Sequence, residues 1–153
     1  MKVLYWILQL TWGALLTVPG LLAALFAIAF FKAKVHRNGY SFIVEFGGDW
    51  GGLNLGAVSF CGGYTTRYNN LSWFEHTRRH EFGHSLQNIA FGPFQIFLVA
   101  IPSAIRYHYQ MARMRKGLPN KEYDSVWFEG TATKLGTWAI ARIEGENDKD
   151  TLN

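Results

Sequence analysis

RRHEFGHSLQ, residues 78–87, decides how this chain is read. It lies inside LSWFEHTRRHEFGHSLQNIA, residues 71–90, which reads as a helix with Ser72 as N-cap and Glu75 three residues on. Positions four apart on a helix sit one turn above each other, so the imidazoles of His80 and His84 project to one side. Two neutral imidazoles so placed can bind one zinc ion at about 2.0–2.1 Å. Glu81 is rotated by ~100° from His80, which keeps it beside the metal rather than on it. From there it can take a proton from a water and pass it to a leaving amine, and zinc brings the pKa of its water to near 7. Gly83 lowers helix propensity by about 1 kcal/mol, and its small size lets another backbone or a substrate come close.

A catalytic zinc needs three protein ligands and a water. His76 extends the ladder of His80 and His84, but three successive turns span about 11–12 Å, too far for one ion, so His76 belongs at the edge of the site. The better third ligand is Glu129 in DSVWFEGTATKLGTWAI, residues 124–140. Asp124 or Ser125 can cap that segment, and Glu129, Thr133 and Gly136 share one helical face. A carboxylate facing two histidines makes a His₂Glu set, the donor set of catalytic zinc. The competing reading of Glu129 is a solvated acid near a helix start. Farther on, RYHYQMARMRKG, residues 106–117, is basic and aromatic and suits a helix lying among lipid headgroups. Within it His108, Tyr107 and Tyr109 are candidates to stabilise an oxyanion, His108 foremost.

HEFGH with a downstream helical glutamate resembles the gluzincin zinc metallopeptidases. GGLNLGAVSF, HEFGHSLQNIAFGP, AIPS and WFEGTATKLG together resemble small bacterial membrane proteins bearing HExxH, over about residues 47–138. In membrane-embedded gluzincins the second helix reads E-x-x-x-D, with the aspartate bracing a ligand histidine. Here Thr133 takes that place, so the resemblance implies a brace without charge and a weaker hold on the metal.

Residues 3–31, VLYWILQLTWGALLTVPGLLAALFAIAFF, carry no charge. As one helix they would run about 43 Å, more than the ~30 Å hydrocarbon core, so tilt or a kink must absorb the excess. Pro19 followed by Gly20 predicts the kink there, and Trp6 and Trp12 suit an interfacial belt. A signal peptide and a buried core helix are the competing readings. Lys32, Lys34 and Arg37 follow, and basic flanks face the cytoplasm, which predicts a site on the cytoplasmic side; the resemblance to small bacterial membrane proteins implies the bacterial inner membrane. IAFGPFQIFLVAIPSAI, residues 89–105, is also uncharged. A single crossing would put Glu129 on the far side from His84, so a hairpin or re-entrant segment broken at a proline is expected.

The composition agrees with a surface shared with lipid. Charged residues make up 17% of the 153, against roughly 25% in ordinary soluble domains, and aromatics reach 16%. The net charge of +4 sits beside apolar runs and in no nucleic-acid motif, so no nucleic-acid partner is expected. Cys61 is the one cysteine and reads as a small buried strand residue. SFIVEF and LNLGAVSF, around the turn cluster GGDWGG, read as a β-hairpin; its second strand is offered as an edge that can pair with an extended peptide. Residues 61–70 read as a loop.

The expected fold is mainly α with a small β-hairpin (α+β). Residues 1–37 form a transmembrane anchor and basic flank, residues 38–143 a zincin-like membrane-associated domain, and residues 144–153 a disordered polar tail. The expected function is a membrane-bound zinc metallopeptidase: Zn²⁺ on His80, His84 and Glu129, catalysis by Glu81 and His108, Thr133 and His76 behind them. Its partners are the lipid bilayer and a peptide or protein substrate. The alternative is a non-catalytic membrane module whose metal site is structural or vestigial.

Overall fold

The computed structural model describes residues 1–45, 47, 50–62 and 71–150. The chain is mostly helical around one small sheet. Two apolar helices, α1 (Lys2–Leu10) and α2 (Ala14–Phe31), open it. Four strands follow: β1 (Lys34–Asn38), β2 (Ser41–Glu45), β3 (Gly52–Leu55) and β4 (Val58–Cys61). Then come α3 (Leu71–Phe91), an elbow of a 3₁₀ turn (Gly92–Phe94) and a π turn (Ile96–Ala100), α4 (Ile101–Arg115), a 3₁₀ turn (Tyr123–Ser125) and α5 (Trp127–Asp150).

The N-terminal apolar run is broken at a place the sequence did not mark. Pro19 lies inside α2, and the chain breaks instead at residues 11–13. The reason is packing. Gly13 meets Asn88 of α3, and a side chain there would collide with its amide; Gly20 sits against the Leu55 carbonyl. Leu16, Thr17, Gly20, Ala24 and Ala27 make the buried face of α2, while Leu15, Val18, Leu22, Leu25, Phe26 and Phe30 point outward. The small residues face protein and the large apolar ones face away, the reverse of a soluble surface helix. Among the described residues α2 is the one helix long and apolar enough to cross a membrane by itself.

The expected single hairpin is two hairpins. β1 pairs antiparallel with β2, and β3 with β4. The strands expected to be hairpin partners, β2 and β4, run parallel, giving the order β1-β2-β4-β3. LNLGAVSF folds back on itself because Gly56, at φ +66°, takes the left-handed turn conformation, and a side chain there would strike Thr17. β1 is drawn from the stretch read as a basic flank; its His36 pairs with Glu45 at 3.0 Å. Both sheet faces are covered. Val44, Val58 and Phe60 pack on Ala24 and Ala27 of α2, while Ile43 and Cys61 pack on Phe74 of α3. Double-sided burial explains why β4 is buried at every position. Cys61 is a free, fully buried thiol, as read from the sequence. Burial, with the Glu45 and Glu81 carboxylates nearby, pushes it up to about 12.

The second apolar segment is broken. Ser72–Phe94 and Ile96–Arg115 meet at 118°. Gly92, at φ +54°, makes the corner, with Trp12 against its backbone where a side chain would sit. The bend therefore falls beside Pro93 rather than Pro102. Helix α5 runs on through residues 144–150, which the sequence placed in a polar tail, and Glu144 bonds Arg78 at 2.7 Å. The expected loop at 63–70 and the last three residues lie outside the described residues.

Candidate metal centre

Helix α3 supplies His80 and His84, and α5 supplies Glu129. The two helices approach closely because glycines stand at their crossing. A Cβ at Gly83 would sit on the Ala132 carbonyl oxygen, and one at Gly136 on the Arg79 carbonyl oxygen. The close neighbour expected at Gly83 is thus the backbone of α5. At that separation Glu129, the first acid of α5, reaches across to α3.

His80 Nε2, His84 Nε2 and Glu129 Oε2 form a triangle with 3.1 Å on each side. All three residues are buried, Glu129 completely. Donors bound tetrahedrally at about 2.05 Å lie about 3.3 Å apart, so the triangle already has the size of three corners of a zinc tetrahedron. The far ring nitrogens are committed to oxygen. His84 Nδ1 lies 2.8 Å from Gln87 Oε1, and Gln87 Nε2 donates to Phe128 O and Thr131 Oγ1. With its amide so placed, Gln87 Oε1 is an acceptor, so His84 Nδ1 carries the hydrogen and a neutral ring turns its Nε2 lone pair inward. His80 Nδ1 lies 2.7 Å from Thr133 Oγ1, so the hydroxyl stands where the resemblance placed a brace.

The inward His84 Nε2, His80 Nε2 and the Glu129 carboxylate oxygen meet in a buried space that a proton or a metal ion can satisfy. Burial alone would push the Glu129 carboxyl up, but hydrogen bonds with His80 and His84 outweigh it and hold the group far below the usual carboxylate range. Burial disfavours the His84 imidazolium, yet the Glu129 hydrogen bond and the nearby carboxylates hold its pKa above the ordinary value. A proton or a metal ion serves this cluster; His80, His84 and Glu129 can hold a metal ion. Glu129 Oε1 and Glu81 Oε2 are buried without a hydrogen-bond partner, which leaves two further acceptors beside the triangle.

Glu81 lies beside the triangle, off it. Its carboxylate packs against the backbone of Gly52 on β3, where a side chain would strike Oε1. Asn54, two residues on, donates to the Glu81 carbonyl at 3.2 Å and to Ser59 at 3.0 Å, tying the edge hairpin to α3. Burial raises the Glu81 carboxyl above its ordinary value, against the pull of the two histidines.

His80, Glu81 and His84 open on a cleft of about 590 Å³. One wall is residues 50–55, including the outer edge of β3, which among the described residues pairs only on its β4 side. The other is Ala100 at the end of the π turn and α4, which contributes Ala104, Tyr107, His108 and Met111. His76 stands exposed at the cleft, its ring stacked on His80 at 6.3 Å and away from the ligand triangle. His108 is exposed on the α4 wall beside Tyr107. Tyr109 lies apart from the cleft lining, under the Arg113 guanidinium at 5.7 Å.

Sequence reasoning missed three residues here. Gln87 was legible, since it lies one helical turn beyond His84 on the same stretch. Gln95, which donates weakly to the His84 carbonyl at 3.4 Å, and Tyr123, whose ring lies 6.0 Å from His80, carried no local signal. Burial, with Glu129 and Glu81 nearby, raises the Tyr123 phenol. Comparison with known proteins finds no matching family model, no matching curated protein and no matching solved structure.

Proposed function

We propose that this chain is a membrane-bound zinc metallopeptidase of gluzincin type, with zinc on His80, His84 and Glu129. The observation that carries the reading is the buried triangle of two imidazole nitrogens and one carboxylate oxygen, 3.1 Å on a side, opening beside Glu81 on a cleft. Two imidazoles and one carboxylate suit zinc among the common ions, and three protein donors leave the fourth position to water. Bound there, zinc acidifies that water and polarises a substrate carbonyl. The chain does the rest. Gln87 and Thr133 fix the two rings. Glu81, made more basic by burial, takes the proton of the attacking water and returns it to the leaving amine. The free edge of β3 offers backbone groups to an extended peptide, which the cleft holds over the triangle. Helix α2 crosses the bilayer with its large apolar face outward, and Lys32, Lys34 and Arg37 sit at the headgroups. The bent, uncharged elbow packs against Trp12, at the end of α2 away from these basic residues, and dips into that leaflet without crossing.

The experiment is metal analysis with peptide hydrolysis on the purified, lipid-reconstituted chain. One zinc per chain is expected, with cleavage of quenched peptides that stops on chelation. Glu81→Gln should keep the zinc and lose about 10²–10⁴-fold in kcat. Cleavage by that variant at the parent rate removes Glu81 from the reaction. Zinc held without any hydrolysis makes the site structural.

A further inference from the structure

Helix α4 is a wall of the cleft, yet none of its residues is buried. It is clasped by the connector that follows it. Arg113 donates to the Pro119 carbonyl at 2.7 Å, Gln110 to the Lys121 carbonyl at 3.0 Å and Arg106 to the Tyr123 carbonyl at 3.0 Å. These acceptors are carbonyls, so the arginines keep their full charge. Between Glu81 and Glu122 the chain has no acid, and α4 with its connector carries Arg106, Arg113, Arg115, Lys116 and Lys121. Among the described residues none of these cations pairs with a carboxylate. The two sides of α4 differ. Ala104, Tyr107 and Met111 line the cleft, whereas Ile101, Ile105 and Tyr109, each four residues from the next, are exposed and stay off it. Toward the elbow this stripe continues with exposed Phe97 and Phe94. The other way it reaches Arg113, whose guanidinium lies over the Tyr109 ring at 5.7 Å, with Arg115 and Lys116 close behind. The stripe is apolar at one end, aromatic next, then cationic. That gradient matches a bilayer read from acyl chain to headgroup.

We infer that the basic end of α4 binds anionic phospholipid headgroups, and that docking there holds α4 in place as the open wall of the cleft. The chemistry selects the ligand. A zwitterionic headgroup brings a phosphate already neutralised by its own ammonium, whereas an anionic one leaves its charge to Arg113, Arg115, Lys116 and Lys121. A soluble polyanion would satisfy the cations and leave Phe97, Ile101 and Ile105 in water; a lipid takes both. The bilayer receives the stripe only while the opposite side of α4 faces the cleft. A ligand that binds this orientation alone draws the population into it. Anionic lipid thereby regulates the same cleft, a role that rests on the membrane placement proposed above and not on hydrolysis.

The test uses the full, zinc-loaded chain in nanodiscs of phosphatidylcholine, alone or with phosphatidylglycerol added up to a one-to-one mixture. Bimane is placed on one introduced thiol at a time, since Cys61 is fully buried and stays unlabelled. On Ile105→Cys, in the outer stripe, emission should shift to the blue and be quenched by brominated acyl chains as phosphatidylglycerol rises. On Met111→Cys, which lines the cleft with Trp73, emission should brighten as the wall is held off the tryptophan. Each basic residue near an anionic surface strengthens binding about fivefold, so Arg113→Gln/Arg115→Gln/Lys116→Gln should weaken the response on the order of 100-fold while keeping zinc and the parent circular dichroism. Arg113→Lys/Arg115→Lys, which alters the bonds to Pro119 but keeps the charge, should respond like the parent. So should Lys2→Gln/Lys32→Gln/Lys34→Gln, which removes exposed charges elsewhere. If neither label distinguishes phosphatidylcholine from the mixture, or if the two glutamine triples fall together, α4 holds no anionic-lipid site. If Ile105→Cys responds and Met111→Cys does not, the hold on the cleft is overturned. Neither label reads cleavage, so a chain that docks and hydrolyses no peptide overturns the peptidase reading alone.

Discussion

Gln87 shows how much of this site is decided one side chain at a time. Its amide accepts from His84 and donates twice into α5, so it fixes a ligand's tautomer and joins the two ligand-bearing helices. Replacing it with leucine leaves the His84 Nδ1 hydrogen without an acceptor. Metal affinity should fall about 10–100-fold, read by competition with a chromophoric chelator; an unchanged constant would show that the brace is dispensable. Glu81 carries a prediction in pH. A general base works only when deprotonated, and burial raises this carboxyl. As pH falls, kcat/KM should therefore drop at a pH above the ordinary carboxylate value of about 4.3. An acid limb at or below that value would mean that water reaches Glu81 freely in the working protein. The histidine pair and its glutamate were legible because helical spacing alone orders them. Tyr123 was not, since nothing near residue 123 in the chain points to residue 80.

Between elements, the crossing of α3 and α5 sets the metal centre. Gly83 and Gly136 let each helix touch the other's backbone. Gly83→Ala must push the Ala132 carbonyl away, and overpacking of this kind costs about 1–3 kcal/mol. A lower melting temperature together with weakened metal binding is expected, because the shift also withdraws Glu129 from the histidines. Full metal affinity in that variant would mean the crossing does not set the ligand triangle. The sequence already marked Gly83 as a place of close approach and put Glu129, Thr133 and Gly136 on one face of α5. It misjudged the strands. Alternation identifies a strand but not its partner, and the left-handed turn at Gly56 closes a hairpin inside what looked like one strand.

Over the whole molecule, the N-terminal helices are part of the fold and not a detachable anchor. Gln9 donates to the Ser85 carbonyl at 2.9 Å and accepts from Thr17 and Asn88, each at 2.7 Å, all fully buried. The same Thr17 hydroxyl accepts from the Ala57 amide at 3.2 Å, so α1, α2, α3 and the β3–β4 turn meet in one polar knot. Gln9→Leu strands several of these groups at about 1–3 kcal/mol each. It should loosen the sheet against α3 and lower the melting temperature, as seen by thermal unfolding in detergent. A variant as stable as the parent would mean that water satisfies the knot. The outward faces of α1 and α2, the elbow residues Phe94 and Phe97, and Ile101 and Ile105 at the start of α4 are exposed and apolar, which is the surface the membrane reading needs.

The amino-acid order by itself determined the two-histidine helix, the acid beside it, the apolar helices and the burial of Cys61. Each depends on neighbours within a turn or two, where helical period and side-chain polarity leave little choice. The order offered Glu129 as third ligand against a solvated acid, and the tertiary structure decided between them; it alone decided that β2 and β4 run parallel, that the first break falls at residues 11–13, and that Tyr123 lines the cleft beside His80. Those outcomes depend on which surfaces meet, and that is set by close packing across distant parts of the chain, which no local pattern encodes.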